Sequence, residues 1–216
     1  MARSEQPKRE FYLPSMFPRS LVLFTTRPFS KTSSLPHKVA HAYLEATEGK
    51  DKKLIWISTD QPAEKVPGIF EEYGYDITPY ADRVILVDLV SAGAGLEMPE
   101  SEGFNIKCVE NPNNLTEVAM LFSDVFAPVE CDLAVIDSLN GMLSFNSVDA
   151  IERFLRFLPV VAHRTNTTTL LTYQRGQYGP ELEASLEVCA DAALIAEDDA
   201  IVVKTRSGVE KIPIPL

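Results

Sequence analysis

The chain has 216 residues, 45% hydrophobic and 24% charged, a balance that can bury a sizeable core in one large folded unit. A net charge of −11 argues against broad nucleic-acid binding, because a phosphate backbone needs a basic surface. Cys108, Cys131 and Cys189 are widely spaced, with no C-x-x-C pair and no histidine at metal-ligand spacing, so Cys131 and Cys189 read as buried thiols in a reducing compartment.

Residues 1–11 read as a flexible tail, and 12–216 as a single domain. The opening MARSEQPKRE leads into no apolar secretory segment. No run approaches the ~20 apolar residues of a membrane span. A cytoplasmic protein without membrane insertion is expected.

After the Pro-punctuated FYLPSMFPRS, LVLF (21–24) predicts a strand, and HKVAHAYLEATE (37–48) a helix with Val39, Ala40, Tyr43 and Leu44 on one face. LIWIS (54–58) predicts a second strand, with Trp56 in the core. PAEKVPGIFEEYG (62–74) reads as a helix interrupted by Pro67 and Gly68, and RVILVDLV (83–90) as a third strand. Residues 91–112 carry the weakest pattern and read as an exposed loop. A helix follows over 113–127, with an Asn cap and Glu117 in its first turn. DLAVIDSL (132–139) is a very apolar strand, and 147–165 a strongly periodic helix broken near Pro159. Strands are then expected at 167–173, 191–197, 201–206 and 212–216.

Helices between strands apolar on both faces imply an α/β fold of three layers around a mainly parallel sheet. The last strands follow one another without helices, so that edge should be antiparallel.

The loop after the first strand reads TTRPFSKT, in the frame of the phosphate-binding pattern G-x-x-x-x-G-K-[ST]. Lys31 and Thr32 hold the positions that reach phosphate and magnesium. Thr25 and Ser30 stand where the two glycines belong, and Pro28 removes one backbone donor. Holding a β-branched residue at positive φ costs on the order of 1–3 kcal/mol, so phosphate affinity is expected to be weak or lost. Downstream, LAVIDSL supplies Asp137 at the end of an apolar strand, where a magnesium-binding carboxylate would sit. STDQP places Asp60 and Gln61 just past another strand, where a carboxylate could activate water; capping the next helix is the plainer role for Asp60. His37 and His41 lie one helical turn apart without a third metal ligand nearby in sequence.

Taken together these pieces resemble the KaiC-like branch of the RecA superfamily, archaeal archaellum-ATPase-like members included. The likeness runs from about residue 12 to the end, through STDQP (58–62), EYGYDIT (72–78), RVILVDL (83–89), NPNNLTEVAMLFSDVF (111–126), VIDSL (135–139), TTLLTY (168–173), ADAALIAE (190–197) and VVKTRSG (202–208). The resemblance implies a RecA-like P-loop domain with antiparallel C-terminal edge strands. Its nucleotide site would comprise Thr25, Ser30, Lys31, Thr32 and Asp137, with Thr32 and Asp137 holding magnesium only when ATP binds. The family's Glu-Glu pair is here Asp60-Gln61; one carboxylate is lost and the other shortened by roughly one C–C bond, ~1.5 Å.

Lys204 and Arg206 resemble the basic pair that family members insert into a neighbouring subunit's ATP site. The implied protein is a degenerate, non-hydrolysing or very weak regulatory or scaffolding subunit in a signalling or motility-type assembly. It would form a homo-oligomer, or a hetero-oligomer with a RecA- or KaiC-like relative. The alternatives are a slow oligomeric ATPase with an intersubunit site and a DNA-binding recombinase paralogue. The charge balance and the lack of a basic-aromatic loop weigh against the second.

Overall fold

Every parallel strand of the sheet ends at the same edge, and that arrangement positions the site. The computed structural model describes residues 12–96, 103–126 and 129–214, so the expected tail at 1–11 lies outside the described residues. Among those residues one nine-stranded sheet runs in the order β4-β3-β2-β5-β6-β1-β7-β8-β9. Its strands are β1 (Leu21–Thr26), β2 (Lys53–Ser58), β3 (Val84–Asp88), β4 (Asn105–Cys108), β5 (Cys131–Asp137), β6 (Thr168–Gln174), β7 (Ala192–Ala196), β8 (Ala200–Thr205) and β9 (Gly208–Pro213). Pairing is parallel from β4 to β7, and antiparallel across β7, β8 and β9, as the helix-free end of the sequence predicts.

Strand alternation sorts the core into two layers. Leu21 and Leu23 of β1 join Ile55, Ala134, Ile136 and Leu171 beneath one group of helices. These are α4 (Leu115–Phe126), α5 (Leu139–Phe145), α6 (Val148–Leu155), α7 (Leu158–Thr165) and α8 (Pro180–Cys189). Val22 and Phe24 face the other way, joining Trp56, Leu86, Val135 and Leu170 beneath α1 (Leu13–Met16), α2 (Leu35–Ala46) and α3 (Val66–Glu72). Trp56 is fully buried, as expected, and so are Val39, Ala40, Tyr43 and Leu44 of α2.

Local chemistry sets the helix ends. Asn114 Oδ1 accepts from the Thr116 and Glu117 N–H groups, which is the Asn cap read from the sequence. The Ser147 hydroxyl accepts from Ala150 N–H to start α6, and Asn166, at φ 57°, ends α7 in a left-handed turn. Pro159 lies in the first turn of α7, so the long helix of 147–165 is two.

The structure departs from the sequence reading in five places. Pro67 and Gly68 do not interrupt a helix; Pro67 sits in the first turn of α3, where its missing N–H is harmless. The stretch 91–112 is not loop throughout, since β4 pairs with β3 and its flanks Phe104 and Val109 are buried. Two helices, α5 and α8, were not anticipated, because α5 is short and α8 is dominated by its glutamates. The final strand begins at Gly208, earlier than 212. Cys131 is buried, but Cys189 is only partly so.

Candidate active site at the carboxyl edge of the sheet

Asp137 and Thr26 end β5 and β1, and Thr172 lies near the end of β6, which runs between them. All three fall on the α2 face by alternation with Val135, Leu170 and Phe24. The Thr172 hydroxyl donates to Asp137 Oδ1 at 2.8 Å. Burial pushes the Asp137 carboxyl up to about 6; the Thr172 bond opposes the shift and the Asp60 charge adds to it.

Asp60 comes to the same place from the β2 side. It caps no helix, as the following turn is entered through Pro62; instead Oδ2 accepts from the Ser138 hydroxyl at 2.6 Å. Burial also raises its pKa, against that bond. Ser138 N–H donates to Thr59 Oγ1 at 2.7 Å, and Thr59 Oγ1 donates in turn to the Ser138 carbonyl. The Asp137–Ser138 peptide is cis. Gln61 is exposed, its carbonyl accepting from the Ser58 hydroxyl at 2.5 Å.

Three residues that the sequence reading did not single out hold this cluster. Asn140 bridges α5 to the end of β6, accepting from Gln174 N–H at 2.7 Å and donating to Gln174 O at 3.0 Å and Gln177 Oε1 at 2.7 Å. At Gly141 a Cβ would sit 2.6 Å from Thr59 Oγ1 and closer still to Thr59 O and Asp60 Oδ1. Only glycine lets α5 approach the Asp60 loop this closely. Thr172 completes the set. The run S-L-N-G directly after Asp137 was the visible signal, a small polar turn where an apolar helix start would ordinarily pack.

The β1 loop is built differently. Thr32 is buried at 1% exposure, and its hydroxyl lies 2.9 Å from that of Thr26 and 2.7 Å from that of Ser30. Ser30 N–H donates to Arg27 O, Thr32 N–H to Ser30 Oγ, and Ser33 N–H to Ser30 O. Three of the N–H donors in the frame of a phosphate cradle are thus engaged within the loop. Phe29, at φ 58°, is wholly exposed, and Lys31 is exposed beside it. Helix α2 begins only at Leu35, after Lys31 and Thr32. Thr25 is buried on the opposite face of β1 from Thr26, away from this loop.

No protein-family model and no curated protein matches the sequence. Among solved structures, the chain is similar to the KaiC-like protein PH0186 from Pyrococcus horikoshii OT3, at TM-score 0.62 and 18% identity, over 91% of this chain and 85% of that one. It is also similar to the uncharacterized protein PH0321 from Pyrococcus horikoshii, solved in complex with an unknown peptide, at TM-score 0.61 and 16% identity, over 91% of this chain and 84% of that one. The fold is KaiC-like.

Within this KaiC-like fold, Lys204 and Arg206 lie at the far end of the sheet. β8 runs against β7, so Thr205 pairs with Ala192 at the amino end of the parallel strands. Lys204 Nζ sits 2.8 Å from Glu187 Oε2, and Arg206 Nη2 3.7 Å from Asp191 Oδ1. β9 covers β8, so the pair is not on an edge strand. Neither side chain belongs to the Asp137 cluster of its own chain.

His37 opens α2 behind the loop, with its ring 4.8 Å from Trp56 and 4.7 Å from both Phe70 and Tyr73. Burial in this ring box lowers its pKa to about 4. Among the described residues no three metal-ligating side chains gather. No helix of the described residues is long and apolar enough to cross a membrane.

Proposed function

We propose that this KaiC-like chain is a regulatory or scaffolding subunit whose own nucleotide pocket is largely silent. It would assemble with copies of itself or with an active relative. The observation that carries this reading is the β1 loop, whose Ser30, Thr32 and Ser33 N–H groups and Thr32 hydroxyl are all engaged internally. A nucleotide binding there would have to break those bonds, each worth about 1 kcal/mol, before gaining its own. ATP and magnesium would then meet Lys31, Thr32 and Asp137 and act as a conformational ligand. In pure protein, saturating Mg-ATP should move the Tm by less than about one degree. Ser30→Gly, which removes the hydroxyl shared with Thr32, should raise nucleotide affinity measurably. Brisk ATP turnover by the unmodified chain defeats the proposal.

The carboxylate half of the site favours a second reading, a slow ATPase completed between subunits. Asp60 would orient water beside Asp137, and Lys204 and Arg206, which are remote from the site of their own chain, would serve a neighbour's. That reading requires turnover that rises with protein concentration and disappears in Lys31→Ala.

A further inference from the structure

Among the described residues, four buried side-chain polar atoms lack a hydrogen-bond partner: Thr25 Oγ1, His37 Nδ1, Tyr173 Oη and Arg175 Nε. Three of them belong to the carboxyl ends of two adjacent strands. Thr25 and Tyr173 are register partners on the neighbouring strands β1 and β6, so their Cα atoms lie about 4.8 Å apart. Both face the α8 side, in alternation with Leu23 and Leu171. Arg175 follows on β6; its N–H donates to Thr26 O at 2.9 Å, and its Nη2 reaches across the end of β1 to Ala196 O at 3.4 Å. Thr25 is 4% exposed and Tyr173 1%. The niche is therefore on the back of β1, opposite the face that carries Thr32 and Asp137.

All three groups can donate. Burial, with Glu183 adding, pushes the Tyr173 phenol up to about 12, so it keeps its proton at neutral pH. The Tyr178 backbone near it supplies a donor, not an acceptor. Among the described residues, no carboxylate is hydrogen-bonded to any of the three groups. Glu183 accepts from Gly176 N–H at 3.0 Å, and Glu197 is held by Lys211 at 2.8 Å. The pKa of the Glu197 carboxyl is lowered chiefly by Lys211, with smaller electrostatic contributions from Arg175 and Arg27. Among the described residues neither forms an ion pair, although Lys52, Lys53, Lys204, Arg206 and Lys211 all do.

A buried guanidinium N–H and two buried hydroxyls without acceptors are unfavourable unless an acceptor arrives. We propose that the carboxyl ends of β1 and β6 form a binding site for a small oxyanion, phosphate or carboxylate, held by Arg175, Thr25 and Tyr173 with Arg27 at the rim. The site is independent of the front loop and of any nucleotide bound there. Its ligand supplies oxygen acceptors only, which is what the three donors lack.

The full chain is titrated with sodium phosphate and, in a parallel arm, sodium acetate, with ionic strength held constant by NaCl. Calorimetric Tm and the Arg175 Nε–H resonance are followed. The site predicts a saturable rise in Tm and a shifted resonance; the arm that responds identifies a tetrahedral or a carboxylate ligand. Arg175→Gln should abolish the response, and the near-isosteric Thr25→Val and Tyr173→Phe should each weaken the anion roughly tenfold. Lys31→Ala and Asp137→Asn should leave it unchanged. The proposal fails if neither anion saturates and both hydroxyl deletions raise the Tm in every buffer, the behaviour of an empty niche. It fails equally if the response survives Arg175→Gln but vanishes in Lys31→Ala, since the anion then sits in the front loop.

Discussion

The two halves of the carboxyl-edge site handle their polar groups in opposite ways. At the ends of β5 and β2, the half-buried Asp137 and the exposed Asp60 are each held by a hydroxyl bond, with pKa values pushed upward. At β1 the loop is neutral at its centre and closed, with Thr26, Ser30 and Thr32 satisfying one another. A charged half that stays under electrostatic stress keeps a capacity for a cation or a proton. A hydroxyl-bonded half that is already satisfied has little to offer phosphate. On the proposed reading, the β1 side of the site is quiet while the carboxylate side keeps its charge.

The contrast depends first on how tightly α5 is set against the Asp60 loop, and Gly141→Ala is the harshest way to break it. The added methyl has to displace backbone oxygen at Thr59, not only a mobile side chain. A loss on the order of 2–4 kcal/mol is expected, measurable by urea denaturation. An alanine variant as stable as the parent would mean that the close approach of α5 does not organise the carboxylates.

Acidity separates the halves by sign. His37, behind the β1 loop, has a folded pKa of about 4, below the 6.5 of an ordinary histidine. The unfolded chain therefore binds the proton first, and stability falls as the pH drops from about 6.5 towards 4, by about 3 kcal/mol at most. His37→Phe should flatten that limb while filling the ring box formed by Trp56, Phe70 and Tyr73. An unchanged acid limb in the phenylalanine variant would assign it to other groups.

Asp137 runs the other way. Its folded pKa of about 6 exceeds the ordinary 3.8, so its protonated form stabilises the fold at low pH, and that contribution is lost as the pH rises through 6. Asp137→Asn keeps an acceptor for Thr172 and removes the charge. It should add on the order of 1–2 kcal/mol at pH 8, allowing for the residue's partial exposure, and nothing at pH 3. Equal stability of the two proteins at pH 8 would show that Asp137 carries no stored charge.

Much of this arrangement was legible in the chain because it rests on periodicity. VIDSL and TTLLTY are apolar strands ending in polar residues, and strand order then brings Asp137 and Thr172 together without any long-range signal in the sequence. Asp60 was read correctly in position but not in its partner, because the Ser138 hydroxyl reaches it only once β5 lies beside β2. Gly141 and Asn140 were missed for the same reason: their roles are contacts with residues distant in sequence, Thr59 and Asp60 for the glycine and Gln174, 34 residues away, for the asparagine. The absence of glycine from the β1 loop was visible at once. What holds the loop instead was not, since a mutual bond among three hydroxyls leaves no periodic trace.

That bond can be tested with the smallest of the expected effects. Thr32→Val keeps the buried shape of the side chain and deletes the oxygen shared with Thr26 and Ser30. If the loop is closed by its own hydroxyls, the variant loses about 1 kcal/mol, because two hydroxyls lose a partner at once. Amide exchange at Ser30 and Ser33 should quicken, whether or not Mg-ATP is present. If the loop is an open cradle awaiting phosphate, the same substitution leaves stability and exchange unaltered in the absence of nucleotide and removes only nucleotide binding. The distinction does not require any turnover, so it reads the state of the loop directly in a protein whose catalytic competence is itself in question.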